Sequence, residues 1–138
     1  MPFAVALLDK VGYAGVEETR ATRLFVAALS RRGVDLERVG EVSVALVDAE
    51  TMRDLNARFR SKNEPTDVLS FELDGLYGEI AGEVVVCPAC VSLDMGVEEL
   101  VVHGALHLSG MDHGEDFEGS EMARLQEAVM EELRGEEG

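Results

Sequence analysis

The sequence predicts one α+β domain: a small mixed β-sheet with helices packed on it, and a candidate metal site on a core helix and the turn after it. Three observations carry this reading. The chain has 138 residues, room for one core and not two at about 100–200 residues per domain, so residues 1–138 are expected to form a single unit. Apolar residues recur with helical period in some stretches and run as short β-branched groups in others. All three histidines fall between positions 103 and 113, in one of the helical stretches and the turn that follows it.

Taken in order, Ala4 to Leu8 is a short candidate strand. From Glu17 to Arg32, Ala21, Leu24, Phe25, Ala28 and Leu29 follow the i, i+3, i+4, i+7, i+8 pattern of an amphipathic helix, and Gly33 supplies its stop. Glu41 to Asp48 alternates Val42, Val44 and Leu46 on one face, which predicts a strand with one covered side. A helix is expected from about Ala49 to Phe59. Ser61 to Thr66 is polar and contains Pro65, which cannot continue a helix, so it reads as a loop into a strand at Val68–Leu73. Thr66, Asp67 and Ser70 are expected to serve that loop and strand structurally. Val84-Val85-Val86 does not alternate and suits a strand buried on both faces. Val97 to Ser109 places Val97, Leu100, Val101, Ala105 and Leu108 at helical spacing before Gly110, and a last helix from about Glu118 to Leu133 carries a stripe of Met122, Leu125, Val129 and Leu133.

Composition bounds the function. With 28 Asp+Glu against 12 Lys+Arg the net charge is −16, which excludes a surface that is one continuous nucleic-acid footprint. At 46% hydrophobic and 29% charged residues the chain has material for a core and is not in the disordered range. No apolar run reaches the roughly 18 residues of a membrane span, and the amino terminus lacks a basic segment before its apolar residues, so a cytoplasmic protein without membrane contact is expected.

His103 and His107, at i and i+4, project from one helical face close enough to share a divalent ion, and Gly110 permits a reversal that returns His113 toward the same ion. Three nitrogens and an open fourth position define a catalytic rather than a structural zinc site. Other readings compete. The spacing H-x3-H-x2-G-x2-H echoes metzincin proteases, but the position of their general-base glutamate holds Gly104. Cys87, Cys90, His103 and His107 also satisfy C-x2-C-x12-H-x3-H, the spacing of a zinc finger. Against that, Asp94 stands at the finger's core aromatic position, Glu98 and Glu99 would repel phosphate, and His113 is left idle. A redox role for Cys87-Pro-Ala-Cys90 lacks a good helix opener after it, and packing is the expected role of both thiols.

A basic island at Arg53, Arg58, Arg60 and Lys62, opposed only by Asp54, inverts the local charge and reads equally as a phosphate-contact surface or as a solvated helix face.

Together these residues resemble the YbeY family, bacterial metal-dependent endoribonucleases linked to ribosomal RNA maturation and ribosome quality control. The resemblance lies in three blocks: Leu55-Asn56-Ala-Arg-Phe59-Arg60 with Pro65-Thr66-Asp67-Val68-Leu69-Ser70-Phe71; Gly82-Glu83-Val84-Val85-Val86-Cys87; and His103-Gly104-Ala-Leu106-His107-Leu108-Ser-Gly110-Met-Asp112-His113. Glu83 stands where the family usually has Asp, Met111 where an aromatic residue is common, and the stretch from Cys87 to His103 is shorter than usual, so a helix there is expected to be reduced. The resemblance implies one zinc ion on His103, His107 and His113, an essential arginine at Arg60, and single-stranded, ribosomal RNA as substrate, with a ribosome or ribosome-associated partner and no role for DNA. Asp112 is the expected partner that orients a histidine ring. RNA engagement is then expected only where the cation and the basic island invert the field, with steep salt dependence. The alternatives are a zinc-binding interaction module on Cys87, Cys90, His103 and His107, and a hydrolase of the same fold acting on something other than RNA.

Overall fold

The computed structural model describes residues 3–74, 78–92, 95–111 and 120–137. Its elements are β1 (Ala6–Asp9), α1 (Glu18–Arg31), β2 (Val39–Leu46), α2 (Ala49–Arg60), β3 (Val68–Asp74), β4 (Ile80–Val86), α3 (Val97–Leu108) and α4 (Glu121–Glu137), with single 3-10 turns at Leu36–Arg38 and Pro88–Cys90. Between β4 and α3 that second turn is the only helical piece among the described residues, in line with the shortened stretch.

The four strands form one mixed sheet in the order β1-β2-β4-β3. β1, β2 and β4 run parallel, and β3 pairs antiparallel with β4 from Val68↔Val86 to Asp74↔Ile80. The helices α1, α3 and α4 cover one face, where Leu24, Phe25, Leu100, Leu106, Met122 and Val129 pack with Val44, Leu46, Val84 and Val86. The helix α2 covers part of the other face, where Met52 packs with Ala45, Val47, Leu69, Val85 and Cys87. The run Val84-Val85-Val86 is therefore buried on both sides, as its lack of alternation implies. β2 departs from expectation. Besides Val42, Val44 and Leu46, its Ala45 and the following Val47 are also buried, because α2 lies over the carboxyl half of the strand. Only Glu41 and Ser43 near its start keep the alternation.

Helix α3 is the central element, with every residue from Leu100 through Leu106 buried. What lets it sit so close to the sheet is Gly104: a Cβ there would lie 2.4 Å from a methyl of Val84. The same contact excludes the metzincin reading, since no glutamate side chain fits at that position. Gly104→Ala is expected to cost about 1–3 kcal/mol of stability by overpacking. Combining it with Val84→Ala should recover much of the loss, as read by urea midpoints; equal midpoints for Gly104→Ala and the parent would contradict this packing.

Two ion pairs lock the helical layer: Arg20 of α1 holds Glu98 through two hydrogen bonds of 3.1 and 2.9 Å, and Arg31 holds Glu132 of α4 at 3.0 Å. Glu98 thus has a partner within the fold. No helix among the described residues is long and apolar enough to cross a membrane.

Candidate metal centre

The end of α3 builds the site. Its cap is Ser109, and Gly110 follows at φ 102°, a conformation that strongly favours glycine. The Gly110 amide donates to the His107 carbonyl at 2.9 Å and the Met111 amide to the Leu106 carbonyl at 3.2 Å. This is a Schellman turn, and it carries the chain back over its own helix. The Met111 carbonyl consequently lies 2.9 Å from His107 Nδ1. A carbonyl only accepts, so Nδ1 of a neutral His107 is the protonated nitrogen and Nε2 carries the lone pair.

His103 sits one turn earlier and is buried, with Nδ1 3.1 Å from Oε1 of Gln126 on α4. Its Nε2 lies 3.2 Å from His107 Nε2. Both rings are therefore held from behind, with their Nε2 atoms turned to one point. Two nitrogen ligands about 2.0–2.1 Å from a tetrahedral zinc ion stand about 3.3–3.4 Å apart. The two described nitrogens match the spacing of two ligands of a divalent metal; among the described residues no third His, Cys, Asp or Glu joins them. Lone pairs facing each other at this distance repel unless a proton or a cation lies between them.

The pair opens on a cleft of about 380 Å³ lined by Arg60, Val68, Leu69, Ser70, Glu72, His103 and His107. Here the sheet edge positions Arg60. The helix α2 ends at Arg60, and Ser61 takes a left-handed conformation at φ 59° that ends the helix. The buried Asn56 side chain then donates to the Glu64 carbonyl at 2.8 Å and fixes the loop that leads into β3. Arg60 reaches across this edge: Nη2 donates to the Ser70 carbonyl at 3.1 Å, Nη1 to the Phe59 carbonyl at 3.3 Å, and the guanidinium lies 5.7 Å from the Phe71 ring centroid. The remaining N–H groups of its fork stay available for an anion.

Of the basic island, only Arg60 enters the cleft lining; Arg53, Arg58 and Lys62 are exposed elsewhere on or just past α2. Ser70 and Glu72, on the cleft-facing side of β3, join the site although no sequence pattern marks them as site residues, and so does Gln126. The structural role expected of Ser70 is met as well, through its carbonyl. His113 and Asp112 lie outside the described residues.

The cysteines are on the other side of the sheet. Alternation along β4 sends Cys87 to the α2 face with Val85 and Met52, while Val84 and Val86 face α3. The zinc-finger arrangement of Cys87, Cys90, His103 and His107 is therefore excluded: the sheet separates the two pairs. Cys87 is fully buried and its Sγ is 2.9 Å from that of Cys90. Burial, and then the hydrogen bond that the Cys87 thiol donates to Cys90 Sγ, pushes the Cys87 thiol up from its ordinary 9.0 to about 11. A thiol held protonated by the fold contributes stability that is complete below the unfolded value and is lost as pH rises through the folded one. The thermal midpoint is thus expected to fall between about pH 9 and 11, and Cys87→Ala should flatten that slope; an unchanged slope would contradict it.

Comparison with known proteins places these features in context. A family model described as Endoribonuclease YbeY matches residues 10–134. A protein of Rubrobacter xylanophilus named Endoribonuclease YbeY is 60% identical over 136 residues, 98% of this chain and 99% of that one. Another of that name from Streptomyces coelicolor is 32% identical, covering 95% of this chain and 92% of its own. The solution structure of TM1509 from Thermotoga maritima superposes with a TM-score of 0.60 at 30% identity, over 96% of this chain and 90% of that one.

Proposed function

The chain belongs to the YbeY endoribonuclease family, and from that premise we propose that it is a zinc-dependent endoribonuclease that cuts single-stranded RNA in ribosomal RNA maturation and ribosome quality control. The observation that carries the metal part is the convergence of His103 and His107 Nε2 at 3.2 Å, each ring held at Nδ1 by a polar partner behind it. These two residues, with His113 as the third, would hold one zinc ion per chain. When bound, zinc supplies a Lewis acid beside the scissile phosphodiester and lowers the pKa of water toward about 7.

The protein's own groups divide the remaining work. Arg60 lines the cleft beside the two histidines, where its uncommitted N–H groups would stabilise charge developing on phosphate oxygens, the kind of fixed electrostatic stabilisation that is usually the largest catalytic contribution. Its bonds to the Ser70 and Phe59 carbonyls hold the fork in place before substrate arrives. Glu72 opposes Arg60 in charge within the same cleft. With neutral imidazoles, the described groups lining this cleft sum to no net charge, and attraction of a phosphodiester depends on the cation. In a chain of −16 that makes RNA binding local, salt-sensitive and dependent on delivery by a ribosome or ribosome-associated partner in the cytoplasm.

The test is cleavage of a single-stranded RNA by the purified protein with and without a chelator. Cleavage and RNA binding are both expected to fall with chelator and to return on adding zinc. Equal cleavage in its presence would overturn the reading.

A further inference from the structure

We propose that Gln126 is a positioning residue for the metal centre: its side-chain carbonyl holds His103 in the tautomer that turns the Nε2 lone pair toward the ion. This rests on the reading of His103 as a ligand. Gln126 is only 6% exposed and His103 8%. On α4 Gln126 occupies the inward stripe with Met122, Val129 and Leu133, all buried apolar residues. Desolvating an amide in that setting costs free energy unless the amide is hydrogen-bonded, and its Oε1 is 3.1 Å from His103 Nδ1.

The consequence follows from the inventory of protons. A neutral imidazole carries one N–H. His107 has its proton on Nδ1, donated to the Met111 carbonyl, so its Nε2 is an acceptor 3.2 Å from His103 Nε2. Without an acceptor at Nδ1, His103 gains most by moving its own proton to Nε2 and donating it to His107. That internal hydrogen bond closes the pair to a cation. Gln126 Oε1 opposes it by accepting from Nδ1, leaving both Nε2 lone pairs directed at one point. The turn after α3 and the helix α4 thus each fix one ring, and Gln126 ties α4 to the centre.

The test compares Gln126→Met, which keeps volume and removes the acceptor, with Gln126→Glu, which keeps an acceptor and cannot donate. Zinc affinity is measured by competition with a chromophoric chelator at about pH 8, where free imidazole is neutral, and the imidazole tautomers of the metal-free proteins are read by nitrogen-15 NMR. Gln126→Met is expected to bind zinc about 10–100-fold more weakly and to shift His103 from Nδ1–H to Nε2–H. Gln126→Glu is expected to stay within a few-fold of the parent with Nδ1–H retained, which loss of packing alone does not explain. Parent-like zinc affinity in Gln126→Met overturns the inference. So does finding His103 as Nε2–H in the metal-free parent, a result that needs no variant. His103→Ala separates the two levels: unchanged zinc affinity there overturns the metal reading itself, whereas loss there combined with parent-like Gln126→Met overturns only the role of Gln126.

Discussion

Replacing His107 with Ala is expected to remove bound zinc and to lower RNA cleavage about a thousandfold or more. The size follows from what a metal ion contributes to a reaction at phosphate, several kcal/mol of charge stabilisation, at about 1.4 kcal/mol per factor of ten. His107 is the cleaner of the two described histidines to test. It is half-buried at the cleft, and its ring is held by a backbone carbonyl rather than by core packing. His103 is buried between α3 and α4, so His103→Ala should lose zinc equally and lose stability as well, through the Gln126 amide left without its ring partner. Zinc retained at parent stoichiometry in His107→Ala would contradict the assignment.

Arg60→Ala is expected to reduce kcat by about 10²–10³-fold, the usual effect of removing one donor to developing charge, with bound zinc unchanged. Because Arg60 is exposed, its replacement should alter stability by no more than about 0.5 kcal/mol, even though it bonds the Ser70 and Phe59 carbonyls. Arg60→Lys keeps the charge and loses the planar fork, so an intermediate activity is expected. A variant that cleaves like the parent, or one that loses zinc, would remove Arg60 from the role given to it. Arg53→Ala and Arg58→Ala, away from the cleft lining, are expected to change RNA binding only through its salt dependence.

Much of this arrangement is written in local patterns. The helices α1 and α3 lie within one residue of where periodicity and a following glycine put them, because both cues act within the helix itself. His103 and His107 are legible for the same reason: four residues on a helix is a spatial statement. β4 begins earlier than its valine run, at Ile80, because Gly82 and Glu83 interrupt the β-branched pattern while still pairing with Val42 and Ser43 of β2. Such pairing is long-range and leaves no local trace.

The last helix shows how a site residue hides. Its stripe reads as Met122, Leu125, Val129 and Leu133, but Leu125 is only half-buried and the inward place is taken by Gln126. The signal is a polar residue at i+4 from Met122 in an apolar stripe, a position where a glutamine needs a buried partner. Gly104 is similar: a glycine inside a helix at apolar spacing marks a close approach, here to Val84, whose identity only the tertiary structure gives. Arg60 is indistinguishable by composition from Arg53, Arg58 and Lys62. Resemblance to a family selects it, and the sheet edge beside β3 explains why it alone among them lines the cleft.

Histidine nitrogens, those of His103 and His107 on α3 among them, and no sulfur are expected to hold the metal. X-ray absorption at the zinc edge of the loaded protein tests it most directly. The expected result is one zinc per chain with nitrogen and oxygen scatterers at about 2.0–2.1 Å, including imidazole signatures. A sulfur shell near about 2.3 Å, bringing in Cys87 or Cys90 from the far side of the sheet, would contradict it.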